Sequence, residues 1–194
     1  SASGSWDRAA LRRLQHTQVE EVIELTGLAE DEVLLLLRHC RWDSDALTQT
    51  FFDGPEVLRK RAGVSECGDG ALDDRGEAKR SRQDEVCGVC FTEPPADVLP
   101  CSGHGYCEDC WSQFLGLAVE TGKGCLDLRC PAPKCGERVR VSLVRRLCPP
   151  RLVDRYERFW LDAFVEDSLD RKWCPGVGCD RACAREGDGR SAVA

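Results

Sequence analysis

The chain has 194 residues and a formal net charge of −7 at pH 7, from 27 Lys and Arg against 34 Asp and Glu. This balance argues against a nucleic-acid-binding protein, because such proteins present a basic surface to the phosphate backbone. No apolar run approaches the length of a membrane-spanning helix, so we expect no membrane partner.

Residues 7–62 show the pattern of a small bundle of short helices. Apolar residues recur at helical spacing in two stripes: Val19, Val22 and Ile23, and then Val33, Leu34, Leu36 and Leu37. Gly27 is expected to end the first helix and Asp43 to cap the start of a later one. Gly54 followed by Pro55 predicts a stop.

Residues 63–86 have the composition of a flexible linker. The stretch is rich in Gly, Asp, Glu, Arg and Ser and contains few large apolar side chains. Cys67 lies there alone, and we expect it to be a free, solvent-exposed thiol.

Eight potential metal ligands follow in an ordered series within residues 87–140. They are Cys87, Cys90, Cys101, His104, Cys107, Cys110, Cys130 and Cys135. A short spacer lets two thiolates bind one ion at about 2.3 Å, and zinc takes four such ligands in a tetrahedron. The series therefore predicts two structural zinc sites, which replace a hydrophobic core in so small a module.

The chain contains 14 cysteines. A disulfide scaffold or iron–sulfur clusters would also explain so high a cysteine content. Pairs separated by two residues favour metal over a disulfide scaffold and indicate a reducing compartment. We therefore expect a cytoplasmic or nuclear protein. Closely spaced cysteines also suit iron–sulfur clusters; the histidine in the series counts against them, and a colourless protein would exclude them.

Two helices are predicted around and after the ligand series. The first runs from Cys110 to about Glu120 and has one apolar face: Trp111, Phe114, Leu115 and Ala118. The second occupies 149–170 within a helical connection over 141–172, and its two prolines suit a helix start. Its stripe consists of Leu152, Val153, Tyr156, Phe159, Trp160, Ala163 and Phe164.

Residues 173–194 contain a further pair, Cys174 and Cys179, with the same four-residue spacer as Cys130 and Cys135. Two ligands cannot complete a tetrahedral site. Either Cys183 helps to form an irregular site, or the missing ligands belong to a longer protein. We favour a longer protein, also because the sequence contains no methionine, and expect a truncated zinc module here.

The ligand order, three cysteines, one histidine and four cysteines, resembles that of a RING domain. This resemblance implies a cross-brace, in which alternate pairs share an ion. One zinc would take Cys87, Cys90, Cys107 and Cys110, and the other Cys101, His104, Cys130 and Cys135. The family usually has one residue between the third ligand and the histidine, whereas this chain has Ser102 and Gly103.

Further motifs indicate which class of RING-containing proteins the chain resembles. The four-residue spacer of the last pair, Cys110 followed by Trp111, and the later Lys-Trp-Cys-Pro at 172–175 resemble RING-between-RING (RBR) ubiquitin ligases. The stretches 35–43 and 51–54 resemble the ubiquitin-associated-like (UBA-like) domain of the Ariadne subfamily. The implied fold is mostly α: a UBA-like bundle, a small zinc-stabilised RING module, a long helix and the start of an in-between-RING domain.

The resemblance also implies a function. In RBR ligases the first RING recruits a ubiquitin-conjugating enzyme carrying ubiquitin as a thioester. Ubiquitin then passes to a cysteine of a second RING, and from there to a substrate lysine. No such catalytic cysteine is found in this sequence. Residues that match the family's docking surface are Val89 and Pro131, with Trp111 and Phe114 as further candidates.

Two questions stay open at this level. The UBA-like domain resembles modules that bind ubiquitin or a ubiquitin-like modifier, for example on a neddylated cullin, but it could equally be a packing module. The whole chain could also be a non-catalytic zinc-binding adaptor for ubiquitin-pathway proteins.

Overall fold

The structure is a computed structural model and describes residues 5–64, 86–91 and 106–185. This part of the chain is mostly α-helical, as predicted, and its helices are α1 Arg8–Thr26, α2 Glu30–His39, α3 Ser44–Asp53, α4 Pro55–Ala62, α5 Glu108–Thr121, α6 Val141–Leu147 and α7 Pro150–Glu166. A 3₁₀ helix spans Lys123–Asp127, and the short strands are β1 Ser5–Trp6, β2 Arg171–Trp173 and β3 Ala182–Ala184.

The chain divides into two compact units, the first from Ser1–Gly54 with Arg158–Ala194 and the second from Pro55–Glu157. Gly63 and Val64, assigned above to the linker, belong to the second unit. The remaining linker positions 65–85, including Cys67, lie outside the described residues. In the part of the chain that the structure describes, no helix is both long and apolar enough to cross a bilayer.

Local capping determines the helix ends in the first unit. The Asp7 carboxylate accepts a hydrogen bond from the Ala10 amide at 2.7 Å, and Asp43 accepts from Ala46 at 2.9 Å. Gly27 ends α1 with φ +70°, and its N–H donates to the Ile23 carbonyl at 2.8 Å. The ends predicted at Gly27 and Asp43 are therefore confirmed, and Asp7 is a cap that the sequence analysis missed.

An aromatic cluster forms the centre of the first unit. Trp42 is 4 % exposed and meets Phe164 edge-on at a centroid distance of 4.9 Å, and Trp160 at 6.1 Å. Trp42 has φ +61°, unusual for a bulky residue. Gln18 holds this turn, because its Nε2 donates to the Trp42 carbonyl and to Ser44 Oγ, both at 2.7 Å.

A small antiparallel sheet of order β1-β3-β2 completes the first unit. Cys183 of β3 lies opposite Ser5 on one side and Lys172 on the other. Arg8, at the start of α1, forms an ion pair with Asp162 at 3.2 Å, and its guanidinium lies 4.9 Å from the centroid of the Trp173 ring. The sheet thus joins segments that are remote in sequence.

Removing the ring of Phe164 should destabilise the first unit strongly. Phe164 is 0 % exposed, so Phe164→Ala leaves a cavity beside Trp42 and should cost about 3–5 kcal/mol in the free energy of unfolding. Chemical denaturation followed by tryptophan fluorescence measures this change. Phe52→Ala is the matched control, because Phe52 is 67 % exposed and its loss should cost less than about 1 kcal/mol. Equal effects of the two changes would contradict this packing.

In the second unit, α5 buries Trp111, Leu115 and Val119. This helix begins at Glu108, two residues before the predicted start, because Cys107 acts as its N-cap.

Helix α7 ends at Glu166, before the predicted residue 170. Beyond it, the buried Ser168 hydroxyl donates to the Phe164 carbonyl, and the chain turns into β2.

Candidate metal centre and docking loops

Four cysteine sulfurs converge in the second unit. Those of Cys87, Cys90, Cys107 and Cys110 all lie within 4.8 Å of one another, and Cys90 Sγ is 3.7 Å from Cys107 Sγ. In a tetrahedral site with zinc–sulfur bonds of about 2.3 Å, neighbouring sulfurs are about 3.8 Å apart. The cluster therefore fits one metal ion, and it brings together the pairs that the cross-brace resemblance implied.

Backbone amides surround this cluster. The Val89 N–H donates to Cys87 Sγ at 3.4 Å, and the Cys110 N–H donates to Cys107 Sγ at 3.5 Å. Cys107 also occupies the N-terminus of α5, where the helix dipole favours negative charge. These donors stabilise thiolates, the form in which cysteine binds metal.

The thiols of the cluster titrate differently from free cysteine. Burial raises the pKa of Cys87, but the amides of Cys90, Cys107 and Val89 outweigh it, and the net shift is downward. Burial, followed by the neighbouring Cys107 and Cys87 thiols, raises the pKa of Cys110 to about 12. Without metal the Cys110 thiol therefore keeps its proton at neutral pH, and metal binding must displace it.

Acidification should consequently weaken metal binding. Because the pKa of Cys110 is raised to about 12, protons compete with metal at any lower pH, and the competition grows as the pH falls. Titration of zinc against a chromogenic chelator, between about pH 6 and 8, should show apparent affinity increasing with pH. An apparent zinc affinity that does not change over this range would contradict coordination by thiolates.

The second predicted ligand set is described only in part. Cys101 and His104 lie outside the described residues, whereas the buried Cys130 and the half-buried Cys135 are described. Both belong to a short hairpin, in which the Cys130 N–H donates to the Glu137 carbonyl at 2.8 Å. The Cys135 N–H donates to the Ala132 carbonyl at 3.1 Å and closes the turn. A second zinc on this hairpin stays a prediction.

The last predicted pair occupies the turn between β2 and β3. The Cys174 N–H donates to the Arg181 carbonyl at 2.8 Å, and the Cys179 N–H donates to the Gly176 carbonyl at 3.0 Å. The Gly176 amide, then the Cys179 thiol, lowers the pKa of Cys174. Cys183 contacts the Lys172 carbonyl at 3.7 Å, and within the described residues it joins no group of three ligands with this pair.

The four predicted docking residues differ in how far their side chains are exposed. Val89 is 54 % exposed, Pro131 is exposed and Phe114 is half-buried. Trp111 is 1 % exposed, with Tyr106 at a centroid distance of 5.5 Å. The expectation that Trp111 contacts a partner directly is therefore wrong, because its ring packs in the interior.

Two further apolar side chains were missed by the sequence analysis. Phe91 directly follows Cys90 and is 69 % exposed, and Leu117 on α5 is 68 % exposed. Phe91 has φ +60°, and its N–H donates to the Cys87 carbonyl at 3.0 Å. Its position next to Cys90, where the chain turns at the four-sulfur cluster, was the signal that could have identified it.

Comparison with known proteins supports the resemblance. The model of the UBA-like domain of E3 ubiquitin-protein ligase ARIH1 matches residues 13–53. The chain is 33 % identical to probable E3 ubiquitin-protein ligase ARI7 of Arabidopsis thaliana, over 89 % of this chain and 30 % of the relative. It is 30 % identical to probable E3 ubiquitin-protein ligase rbrA of Dictyostelium discoideum, over 84 % of this chain and 31 % of that protein.

The chain belongs to the Ariadne-type RBR family. The human ankyrin repeat and IBR domain-containing protein 1 is another relative, 30 % identical over 89 % of this chain and 18 % of its own length. The family match confirms the UBA-like domain, which covers most of α1 and all of α2 and α3. The chain spans less than a third of the length of these curated Ariadne-type relatives.

Proposed function

We propose that the chain is the part of an RBR ubiquitin ligase that recruits a conjugating enzyme charged with ubiquitin. The observation that carries this proposal is the four-sulfur cluster, which holds the exposed Val89 between two of its ligands. Membership of the Ariadne-type family supplies the reaction class. The proposed reaction passes ubiquitin to a cysteine of a second RING and then to a substrate lysine.

We further propose zinc as the metal at two sites. The first takes Cys87, Cys90, Cys107 and Cys110, whose four sulfurs suit zinc. The second takes Cys101, His104, Cys130 and Cys135. Zinc in such sites is structural, and it fixes the loops on which Val89 and Pro131 lie. Cys174 and Cys179 are proposed as half of a further site.

The proposed docking surface is apolar and lies on these loops. Val89, Phe91 and Pro131 are exposed, and Phe114 on α5 is half-buried. Exposed apolar side chains on a rigid loop are typical of contact residues. The conjugating enzyme that carries ubiquitin would bind to this surface. The chain would hold the enzyme while ubiquitin moves to the catalytic cysteine.

Two of the chain's other described thiols, those of Cys40 and Cys148, are poor candidates for that catalytic cysteine. Burial, followed by the charge of Asp43, raises the pKa of Cys40, and burial raises the pKa of Cys148. A raised pKa lowers the thiolate fraction and hence the reactivity toward a thioester. Neither thiol is therefore suited to receive ubiquitin.

For the UBA-like domain we propose binding of ubiquitin or a ubiquitin-like modifier, with a neddylated cullin as one candidate. Leu25 is 61 % and Phe52 is 67 % exposed on its helices, which leaves apolar surface for a partner. The domain also has a packing role in the first unit, where Trp42 is buried against Trp160. A cytoplasmic or nuclear location, where thiols stay reduced, fits the proposed metal sites.

The test is binding of the purified chain to a panel of conjugating enzymes, each loaded stably with ubiquitin, measured by calorimetry. We expect at least one enzyme to bind. With an ordinary thioester in place of the stable linkage, we expect no ubiquitin to be transferred to the chain's own cysteines. Failure of every enzyme to bind a zinc-loaded chain would contradict the proposal. The alternative, a non-catalytic adaptor, predicts the same binding but no activity in a longer chain that includes the second RING.

A further inference from the structure

The end of α4 is built into the hairpin that carries Cys130 and Cys135. The carbonyl of Gly63 accepts a hydrogen bond from the Arg138 N–H at 2.8 Å. The side chains around it are buried in the second unit: Leu58 is 2 %, Ala62 0 % and Val64 7 % exposed. This segment precedes the first RING ligand, Cys87, by more than twenty positions.

We infer that residues 58–64, here called the brace, position the second zinc loop for docking, and that Gly63 is the positioning residue. The inference rests on the proposed function, because it concerns the loop that carries Pro131. Gly63 is half-buried, and its carbonyl is hydrogen-bonded to the Arg138 N–H of the hairpin. It acts through the backbone of the hairpin.

Gly63 has a conformation and a location that together exclude a side chain. Its φ is +70°, and a Cβ atom there would lie 2.9 Å from the Gly136 carbonyl oxygen and 3.1 Å from an Arg129 guanidinium nitrogen. Contacts of 2.9 Å do not occur between real Cβ atoms and carbonyls without a shift of the backbone. The Gly63 N–H donates to the Lys60 carbonyl at 3.3 Å and ends α4.

A displacement of Gly136 would also displace Cys135, one of the proposed zinc ligands. Gly136 follows Cys135 in sequence, and its carbonyl accepts a hydrogen bond from the Arg129 guanidinium. Arg129 lies opposite Arg138 in the hairpin, and Arg138 forms an ion pair with Asp127 at 3.0 Å. These contacts connect the brace to both ends of the loop, so displacement at Gly63 should move the loop as a whole.

The experiment compares Gly63→Ala with Gly27→Ala in the complete chain. Both glycines have φ +70°, so both changes carry the same left-handed strain, but a Cβ at Gly27 meets nothing within 4 Å. The probe is the ubiquitin-conjugating enzyme that binds the unaltered chain most tightly, measured by calorimetry. Gly63→Ala should bind about tenfold more weakly, equivalent to about 1.4 kcal/mol, and Gly27→Ala should bind as the unaltered chain does.

A third variant separates strain from collision. Asn tolerates left-handed backbone better than Ala does, so Gly63→Asn should recover part of the melting temperature lost in Gly63→Ala. It retains the Cβ, and its binding should therefore stay weak. A purely structural role would instead let affinity recover together with stability, and that result would overturn the inference.

Zinc release provides a second readout that does not depend on the partner. Gly63→Ala should surrender one of its two zinc ions to a chelator faster than the unaltered chain, while the other is released at an unchanged rate. If Gly63→Ala does not fold, Gly63→Asn gives the same comparison. If no conjugating enzyme binds the unaltered chain, the proposed function fails and zinc release alone decides on the brace. Equal binding and equal zinc release in Gly63→Ala and Gly27→Ala would refute it.

Discussion

Cys107→Ser is expected to abolish metal binding at the four-sulfur cluster and to unfold the segment around it. Cys107 contributes one of the four converging sulfurs and also caps α5 through the Cys110 N–H. A structural zinc site supplies on the order of 10 kcal/mol to a small module, which is comparable to the whole free energy of unfolding of a typical domain, about 5–15 kcal/mol. Native mass spectrometry should show at least one zinc fewer.

The control for this change is Cys40→Ser. Cys40 lies at the end of α2 and belongs to no group of potential ligands within the described residues. Its replacement should leave zinc content unchanged and lower stability by about 1 kcal/mol. If Cys107→Ser retained the zinc content of the unaltered chain, the assignment of Cys107 as a ligand would be wrong.

Val89→Asp should leave the metal in place and prevent binding of the conjugating enzyme. Val89 is 54 % exposed between two ligands, so a carboxylate there can stay hydrated in the free chain. On docking it would have to lose its water against an apolar surface, which costs several kcal/mol and lowers affinity by a factor of about 100 or more. Calorimetry with the charged enzyme measures the loss.

Val57→Asp provides a control with the same substitution at the same exposure. Val57 is also 54 % exposed and lies in the first turn of α4, where an acidic residue suits the helix dipole. Its binding should match that of the unaltered chain. Undiminished affinity in Val89→Asp, with zinc content intact, would remove Val89 from the docking surface.

Short-range signals in the sequence predicted much of the helical structure. The helix end at Gly27 and the cap at Asp43 depend on contacts within four residues, which a sequence pattern contains directly. The resemblance to RING domains added the grouping of Cys87 with Cys107, which no spacing rule alone would choose. The identity of the metal as zinc, the surfaces that bind partner proteins and the limits of the domains remain predictions.

Long-range packing accounts for the features that the sequence did not reveal. Strand β1 has only two residues and pairs with β3, near the opposite end of the described chain, so it shows no alternating pattern to detect. Trp111 was proposed as a docking residue from the family resemblance, which does not show how far its ring is buried in this chain, where it is 1 % exposed. Gly63 looked like linker because its hydrogen-bond partner, the Arg138 N–H, is more than seventy positions away.

The pairing of Ser5 and Trp6 with β3 also affects how the protein is handled at the bench. A chain shortened so that it begins at Arg8 would lack the Asp7 cap and strand β1. Strand β1 is one edge of the sheet, and the turn that holds Cys174 and Cys179 belongs to the same sheet. An affinity tag fused immediately before Ser5 would crowd the same edge. Anyone assaying that cysteine pair should therefore keep the leading residues and place tags at a distance from them.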